Sequence, residues 1–313
     1  MPDYGHPLRF GSFITPVNSP ASQPVRLAVL SEQLGFDLVT FQDHPYQASF
    51  LDTWTLLSWA GAQTERVQLS GNVLNLPLRQ PAVLARSAAS LDLLSGGRFT
   101  LGVGVGGEYP PEFAACGVPV RQRGARSDES LTVLRALLSG KTLSLNGQFA
   151  QLDALKLEPP PVQLPLPIWV GGRRTAALRR AGRFADVWLP YLITPEMLAR
   201  GLESVRGFAR EYDRPAAAVS AAVFLWGSVS ASPGAAREQA IAAVSRTYRQ
   251  DFAPIADKYL LAGDPAAVAV RLHAYASAGA SAIVFAPACE PAQRAGVIEL
   301  FAQDVMPGFS GGS

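Results

Sequence analysis

The chain is poor in cysteine and histidine, with two cysteines and three histidines among its 313 residues. Cys116 and Cys289 are too few for a disulfide framework or a cysteine-rich metal site, and the histidines have no zinc-binding spacing. An excess of positive charge is also missing, because the formal net charge is only +2. Nucleic-acid-binding domains concentrate basic residues on one face. We therefore expect neither a metal nor a nucleic-acid partner.

Long hydrophobic runs are absent as well. The most apolar stretch, residues 216–226, has roughly half the length that a membrane-spanning helix needs. Residues 1–10 carry Asp3, His6 and Arg9 in place of the apolar run of a signal peptide. What the chain does have is a balance of 48% hydrophobic and 17% charged residues, which is typical of a folded domain with a large core. These features predict a globular, cytoplasmic protein without a membrane partner.

Short apolar runs alternate along the chain with longer helical patterns. Eight of these runs are predicted strands, each followed by a helix, and this alternation over about 300 residues is typical of a (β/α)8 TIM barrel. An open doubly wound sheet uses the same elements, but the count of eight favours the closed barrel. The predicted strands are residues 8–14, 37–42, 67–76, 98–105, 168–170, 185–189, 219–229 and 280–285.

An insertion is predicted around the fourth helix. Residues 107–166 hold that helix, expected at 126–138, together with a hairpin signal at Asn146-Gly147. No linker rich in proline or serine divides the chain. We expect one barrel domain over residues 1–313 that carries this insertion.

The candidate site follows from the barrel, because the chemistry of such folds takes place at the C-terminal ends of the strands. Asp43 and His44 end the second predicted strand, and histidine can donate or accept a proton near neutral pH. The alternative is a strand-end turn in which Asp43 caps backbone amides. The position at a strand end favours a functional pair.

Glycines follow the fourth predicted strand. Gly102, Gly104 and Gly107 formally match the dinucleotide-binding pattern G-x-G-x-x-G, which requires a helix directly after it. Pro110-Pro111 is poor chemistry for opening that helix, so we reject a Rossmann site. The glycines, Gly106 included, still imply close approach of the backbone to a ligand or to a packed neighbour.

A second glycine pair follows the fifth predicted strand. Gly171-Gly172 precedes a helix, with Arg173 and Thr175 beside the pair. Free amides at a helix N-terminus bind phosphate, and arginine and threonine add donors. A simple strand-to-helix turn with surface arginines is the alternative, and we favour the phosphate site.

Taken together, several segments resemble the luciferase-like oxidoreductase family, the superfamily of bacterial luciferase. The resemblance is strong over residues 8–190 and weaker beyond. Its most specific part lies between residues 91 and 104. The segments that carry it are residues 34–37, 43–44, 76–81, 91–98, 101–104, 123–129 and 168–172.

The resemblance implies a barrel that holds FMN or the deazaflavin coenzyme F420 at its C-terminal mouth and often forms a homodimer. FMN members commonly activate oxygen as monooxygenases, whereas F420 members pass a hydride to or from an organic substrate. In this family a non-proline cis peptide in the third strand supports the ring system, and the matching positions are Asn72-Val73. Asp43-His44 matches the active-site pair of F420-dependent glucose-6-phosphate dehydrogenases. Their acid–base glutamate falls near Gly107, and Glu108 stands one place away.

The expected site therefore combines positions from four strand ends. Its catalytic residues are His44, Asp43 and Glu108, and its cofactor-binding residues are Asn72, Val73, Gly106, Gly107, Gly171, Gly172, Arg173 and Thr175.

Two other functions are open to the same barrel. One is non-redox binding of a phosphorylated metabolite, and the other is a non-flavin enzyme such as an aldolase or isomerase. The three lysines (Lys141, Lys156 and Lys258) fall away from the predicted strand ends, which disfavours Schiff-base chemistry. We expect an oxidoreductase that acts on a small organic molecule.

Overall fold

The computed structural model describes residues 4–107 and 109–309, and a closed parallel barrel lies at its centre. The strands are β1 (Arg9–Ile14), β2 (Leu38–Phe41), β3 (Gln68–Gly71), β4 (Leu74–Asn75), β5 (Phe99–Gly104), β6 (Leu143–Asn146), β7 (Gln151–Leu155), β8 (Ile168–Gly171), β9 (Val187–Leu189), β10 (Ser220–Val229), β11 (Leu261–Gly263) and β12 (Ala280–Pro287).

The barrel strands pair in parallel in the order β1, β2, β3, β5, β8, β9, β10 and β12, and β12 pairs with β1 again. β4 follows β3 in the same direction and also pairs with β5. β11 pairs in parallel with the C-terminal residues of β10. Helices separate the strands, so the predicted (β/α)8 TIM barrel is confirmed.

The helices are α1 (Gln23–Gln33), α2 (Thr53–Gln63), α3 (Pro81–Leu94), α4 (Pro110–Ala115), α5 (Arg123–Leu137), α6 (Thr175–Phe184), α7 (Pro195–Glu211), α8 (Pro233–Tyr248), α9 (Ala256–Tyr259), α10 (Pro265–Ser277) and α11 (Arg294–Asp304). Proline in the first turn begins many of them, because its missing N–H would have no partner there. Asp52 and Thr194 cap α2 and α7 by accepting from first-turn amides. None of the helices within the described residues is both long and apolar enough to span a membrane.

The expectation that Pro110-Pro111 would not open a helix is wrong. α4 begins at Pro110 and places Glu112 in its first turn. A proline at the first helical position loses no hydrogen bond, and a negative charge there interacts favourably with the helix dipole. The rejection of a Rossmann site still holds, because Gly102 and Gly104 belong to the barrel strand β5. Sequence analysis also missed β11 and α10.

Inward-facing apolar side chains fill the barrel. Phe13 on β1 and Phe224 and Trp226 on β10 pack edge to face, with ring centroids 4.8–5.4 Å apart. Near the N-terminal end of the barrel, Arg9 donates to Gln68 on β3 at 3.0 Å. The lumen is therefore a packed core, and ligands must bind at its mouth.

Arginines fasten the N-terminal end of the barrel to the preceding helices. Arg98, just before β5, donates to the carbonyl oxygens of Gly61 and Val67 at 2.9 and 3.0 Å. Arg214, before β10, donates to those of Gly182 and Ala185 at 2.7 Å each. These carbonyls lie at helix ends and in loops, where no further turn of helix satisfies them.

The hairpin expected at Asn146-Gly147 is confirmed as β6 and β7. Its loop is held by the carboxylate of Glu129 on α5, which accepts from the amides of Gln148, Phe149 and Ala150 at 2.6–2.8 Å. A tertiary contact therefore fixes the loop, and the second strand begins at Gln151.

Candidate active site

Asp43 and His44 lie directly after β2, at the C-terminal mouth of the barrel. Asp43 is 4% exposed, and its carboxylate accepts from the backbone amide of Asn75 at 2.7 Å. The guanidinium of Arg79 donates to both of its oxygens at 2.9 Å. The neighbouring His44 keeps 35% of its side chain exposed. Asp43 is thus committed to structural contacts, whereas His44 faces the mouth.

Glu112 is the residue that sequence analysis missed. Its side chain is 3% exposed, and its Oε1 lies 3.3 Å from Nδ1 of His44. Its other oxygen, Oε2, accepts from Nδ2 of Asn75 at 3.3 Å. A local signal marks only its place in the helix, because Glu112 is an acidic residue in the first turn of a helix that begins with proline. Glu108, the expected third catalytic residue, lies outside the described residues.

Asn75 connects the carboxylates of Asp43 and Glu112 by hydrogen bonds, and its side chain packs against Gly106. A Cβ at Gly106 would lie 2.4 Å from Oδ1 of Asn75, and the φ angle of Gly106 is +74°. Glycine is required there on both counts. Oδ1 itself is buried and has no hydrogen-bond partner among the described residues. Gly107 has open space where a Cβ would be, so no packed neighbour among the described residues requires glycine at that position.

Val73 sits between two of the glycine-rich strand ends. The peptide bond between Asn72 and Val73 is cis, as expected from the resemblance. A Cβ at Gly104 would lie 2.5 Å from Cγ2 of Val73, and one at Gly171 would lie 2.9 Å from its Cγ1. Glycines on β5 and β8 therefore let the valine come close to both strands. Asn72 is half-buried and contacts the hydroxyl of Thr40 at 3.5 Å.

The turn after β8 brings together the residues expected to bind phosphate. Gly172 has a φ angle of +119°, and its amide donates to the carbonyl of Leu189 at 3.3 Å. That amide is therefore already engaged, and the donors available to a phosphate are those of the first turn of α6. Thr175 is the first residue of that helix and is exposed.

Arg173 is exposed on the same turn. Its guanidinium donates to the carbonyl of Leu192 at 2.7 Å and lies 5.3 Å from the ring centroid of Tyr191. These contacts hold the positive charge beside the start of α6, where an anion would also experience the helix dipole.

An aromatic surface lies across the mouth from Val73. Trp226 donates from Nε1 to the hydroxyl of Tyr248 on α8 at 3.2 Å. Burial raises the pKa of Tyr248, so this hydroxyl stays protonated at neutral pH. The site therefore combines an apolar face with a few polar groups, as small-molecule sites do. Among the described residues, no three His, Cys, Asp or Glu side chains form a metal-binding group.

Comparisons with known proteins bear on the family and the fold of the chain. The model of the family described as "Luciferase-like monooxygenase" matches residues 8–282. An uncharacterized protein of Mycobacterium tuberculosis (strain H37Rv) is 40% identical over 162 residues, which cover 52% of this chain and 55% of that protein. An F420-dependent glucose-6-phosphate dehydrogenase of Nakamurella multipartita is 31% identical over 220 residues, covering 66% of this chain and 65% of that enzyme.

The alignments to these two relatives thus span about half to two thirds of their lengths. A solved structure, a monooxygenase from Streptomyces bottropensis, superimposes with a TM-score of 0.82 at 23% identity. It covers 96% of this chain and the whole of that one, which shows that the two share a fold.

Proposed function

The chain belongs to the luciferase-like monooxygenase family, and we propose that it is an oxidoreductase that uses FMN or coenzyme F420 for two-electron chemistry on a small organic substrate. The observation that carries the proposal is the His44–Glu112 pair, 3.3 Å apart at the mouth of the barrel. A histidine backed by a buried carboxylate is suited to moving a proton. The flavin or deazaflavin would supply the electrons.

The residues at the mouth fit such a cofactor. Gly104 and Gly171 leave the strand ends without side chains, and Val73 lies between them. We propose that Asn72, Val73, Gly106 and Gly107 contact the ring. Gly171, Gly172, Arg173 and Thr175 would contact the phosphate.

The geometry favours hydride transfer to or from an alcohol or carbonyl over oxygen activation. Interconversion of an alcohol and a carbonyl moves one hydride and one proton, so it needs a proton carrier as well as an electron carrier. His44 is exposed enough to meet a substrate hydroxyl, and Asp43 is fully engaged with Arg79 and Asn75. We propose that His44 exchanges the proton and that Asp43 helps to position His44. We also propose that Glu108 is a further acid–base group.

The deciding experiment is to titrate the purified protein with FMN and with F420 separately, following fluorescence. We expect saturable binding of one of them, weakened by Gly171→Val, which would project bulk beside Val73. Gly207→Val is the matched control, since that glycine on α7 has open space around it. Binding of neither cofactor would contradict the proposal. Binding of inorganic phosphate without either cofactor would favour a non-redox protein for a phosphorylated metabolite.

We also propose a homodimer that forms through α2 and α3. α2 carries no charged residue, and Trp59 on it is 65% exposed. Val83 and Leu94 on α3 are 66% and 87% exposed. Depletion of charge around exposed aromatic and aliphatic side chains is typical of an interface. Trp59→Glu is expected to halve the mass measured by light scattering, whereas Val270→Glu on α10, which is 71% exposed, leaves it unchanged.

Two further proposals concern the chain as a whole. We propose that residues 1–313 form one domain with residues 107–166 as an insertion, and that the protein is cytoplasmic. Cys116 and Cys289 are both free, which agrees with a reducing compartment. Limited proteolysis tests the first proposal, since a single domain gives no stable subfragment. Cell fractionation tests the second.

A further inference from the structure

One ring nitrogen of His44 makes a hydrogen bond within the protein, and the other makes none to the described residues. Nδ1 lies 3.3 Å from Oε1 of Glu112. Nε2 makes no hydrogen bond to any of the described residues, and the side chain is partly exposed on the mouth. In a neutral imidazole one nitrogen carries the proton and the other accepts, and the hydrogen bond made by one sets the state of the other.

Glu112 is held too firmly to turn away from the ring. The carboxylate is buried, and Oε2 is occupied by Nδ2 of Asn75. A carboxylate oxygen accepts hydrogen bonds, and Oε2 already accepts from Asn75, so we assign the hydrogen between Oε1 and the imidazole to Nδ1. The amide orientation of Asn75 agrees with this assignment, because its NH2 group faces the carboxylate.

Asn75 is in turn fixed from two sides. Its backbone amide donates to Asp43, whose carboxylate is clamped by Arg79. Its side chain packs on Gly106, where no larger residue fits. The contacts therefore form a chain from Arg79 through Asp43, Asn75 and Glu112 to His44, and only the last member reaches the mouth.

We propose that Glu112 is the positioning residue of His44: it holds the ring proton on Nδ1 and so makes Nε2 the nitrogen that exchanges a proton with the substrate. The inference deepens the proposed function, on which the role of Nε2 rests. The tautomer itself does not depend on any cofactor, so the two ideas can be tested separately.

The test is long-range ¹H–¹⁵N NMR of ¹⁵N-histidine-labelled protein without cofactor, at a pH about two units above the ordinary histidine pKa. The His44 signals are assigned by their loss in His44→Asn, and the other two histidines serve as internal references. We expect the proton of His44 on Nδ1 in the parent protein. An Nε2–H tautomer there would overturn the proposal without any variant having to fold.

Three variants test the cause. Glu112→Ala is expected to move the proton to Nε2, the tautomer that an unrestrained imidazole favours. Glu112→Gln retains an acceptor oxygen and is expected to keep Nδ1–H, with Asn75 turning its amide. Cys116→Ala, at the end of the same helix, should change nothing. An unchanged tautomer in folded Glu112→Ala would also overturn the proposal, whereas failure to bind FMN or F420 would contradict only the proposed function.

Discussion

Arg79 donates from a single nitrogen to both carboxylate oxygens of Asp43, the residue directly before His44, at 2.9 Å each. The side chains are 22% and 2% exposed, so this ion pair is largely shielded from water. Two residues adjacent in sequence therefore differ in role. Asp43 is engaged in structural contacts, and His44 is the group that we propose meets the substrate.

Asp43→Ala is expected to destabilise the protein strongly. The change leaves the guanidinium of Arg79 without its partner and the amide of Asn75 without an acceptor, which together cost about 3 kcal/mol of unfolding free energy. Chemical denaturation measures it. Glu211→Ala removes the partner of Arg179 in an exposed ion pair and is the control, with little change expected. Equal effects of the two substitutions would show that the buried pair is not structural.

His44→Ala is expected to show the opposite pattern. Loss of a general acid or base lowers turnover by roughly 10²-fold or more, while the unfolding curve stays close to that of the parent. The assay is F420 or FMN turnover over a panel of alcohols and ketones. His6→Ala, which removes a histidine before β1 at the other end of the barrel, should leave turnover unchanged. Full activity in folded, cofactor-loaded His44→Ala would refute the proton-transfer role.

Gly104→Ala tests the close packing around Val73. The new Cβ would lie 2.5 Å from Cγ2 of Val73, so overpacking is expected to cost about 1–3 kcal/mol. Val73→Ala removes that methyl group, and the double variant should be less destabilised than the sum of the two single ones. Thermal or chemical unfolding of the four proteins completes the cycle. Strict additivity would mean that the two positions do not touch.

Glu32 predicts a pH dependence of stability. Burial acts to raise its pKa, but the amides of Val67, Arg66 and Glu65 and the charge of Arg66 outweigh burial, so the pKa lies below its ordinary value of 4.5. A carboxyl with a lowered folded-state pKa stabilises the protein fully above its unfolded-state pKa. That contribution is lost as the pH falls through the folded-state value. Urea unfolding across this acid range should show that Glu32→Gln loses less unfolding free energy than the parent protein as the pH falls. Parallel plots of unfolding free energy against pH for the two proteins would contradict the prediction.

The two thiols are expected to differ in reactivity. Burial raises the pKa of Cys289 to about 11, and the residue is 4% exposed, so little thiolate is present or accessible at pH 8. The residue Cys116 is exposed, although partial desolvation of its thiol and the charge of Glu112 raise the pKa of that thiol. A disulfide reagent should titrate one thiol in the native protein and two in denaturant. Cys116→Ser should leave no reactive thiol in the native state.

Local patterns predicted the barrel well because each element carries its own signals. α3 runs from Pro81 to Leu94, between a proline in its first turn and the Gly96-Gly97 pair that follows it. The third predicted strand, residues 67–76, is divided after Gly71 into β3 and β4. β11 reads Leu-Ala-Gly and has no β-branched or aromatic residue, unlike β9, which is equally short but reads Val-Trp-Leu. α10 was missed although Asp264 caps it and Pro265 begins it, which is a strong local signal.

The site could be predicted only in part, because its key contact joins distant elements. His44 was located by its place at a strand end. Glu112 could be identified only from the structure, in which α4 places it beside His44 although the two residues are 68 positions apart in the sequence. No local pattern encodes the distance between a loop after β2 and the first turn of a later helix. The hydrogen bond from the Gly172 amide to the Leu189 carbonyl likewise depends on the pairing of β8 with β9, which are separate in the sequence.

The arginines at the N-terminal end of the barrel bear on how such a protein can change over evolutionary time. Arg98 and Arg214 join helix ends and loops to the barrel through backbone carbonyls, which every residue type possesses, so neighbouring side chains are free to vary. They lie at the end opposite the proposed catalytic groups. Loops at the mouth can therefore be exchanged or lengthened without loosening these attachments, and new substrate preferences become accessible without a new scaffold.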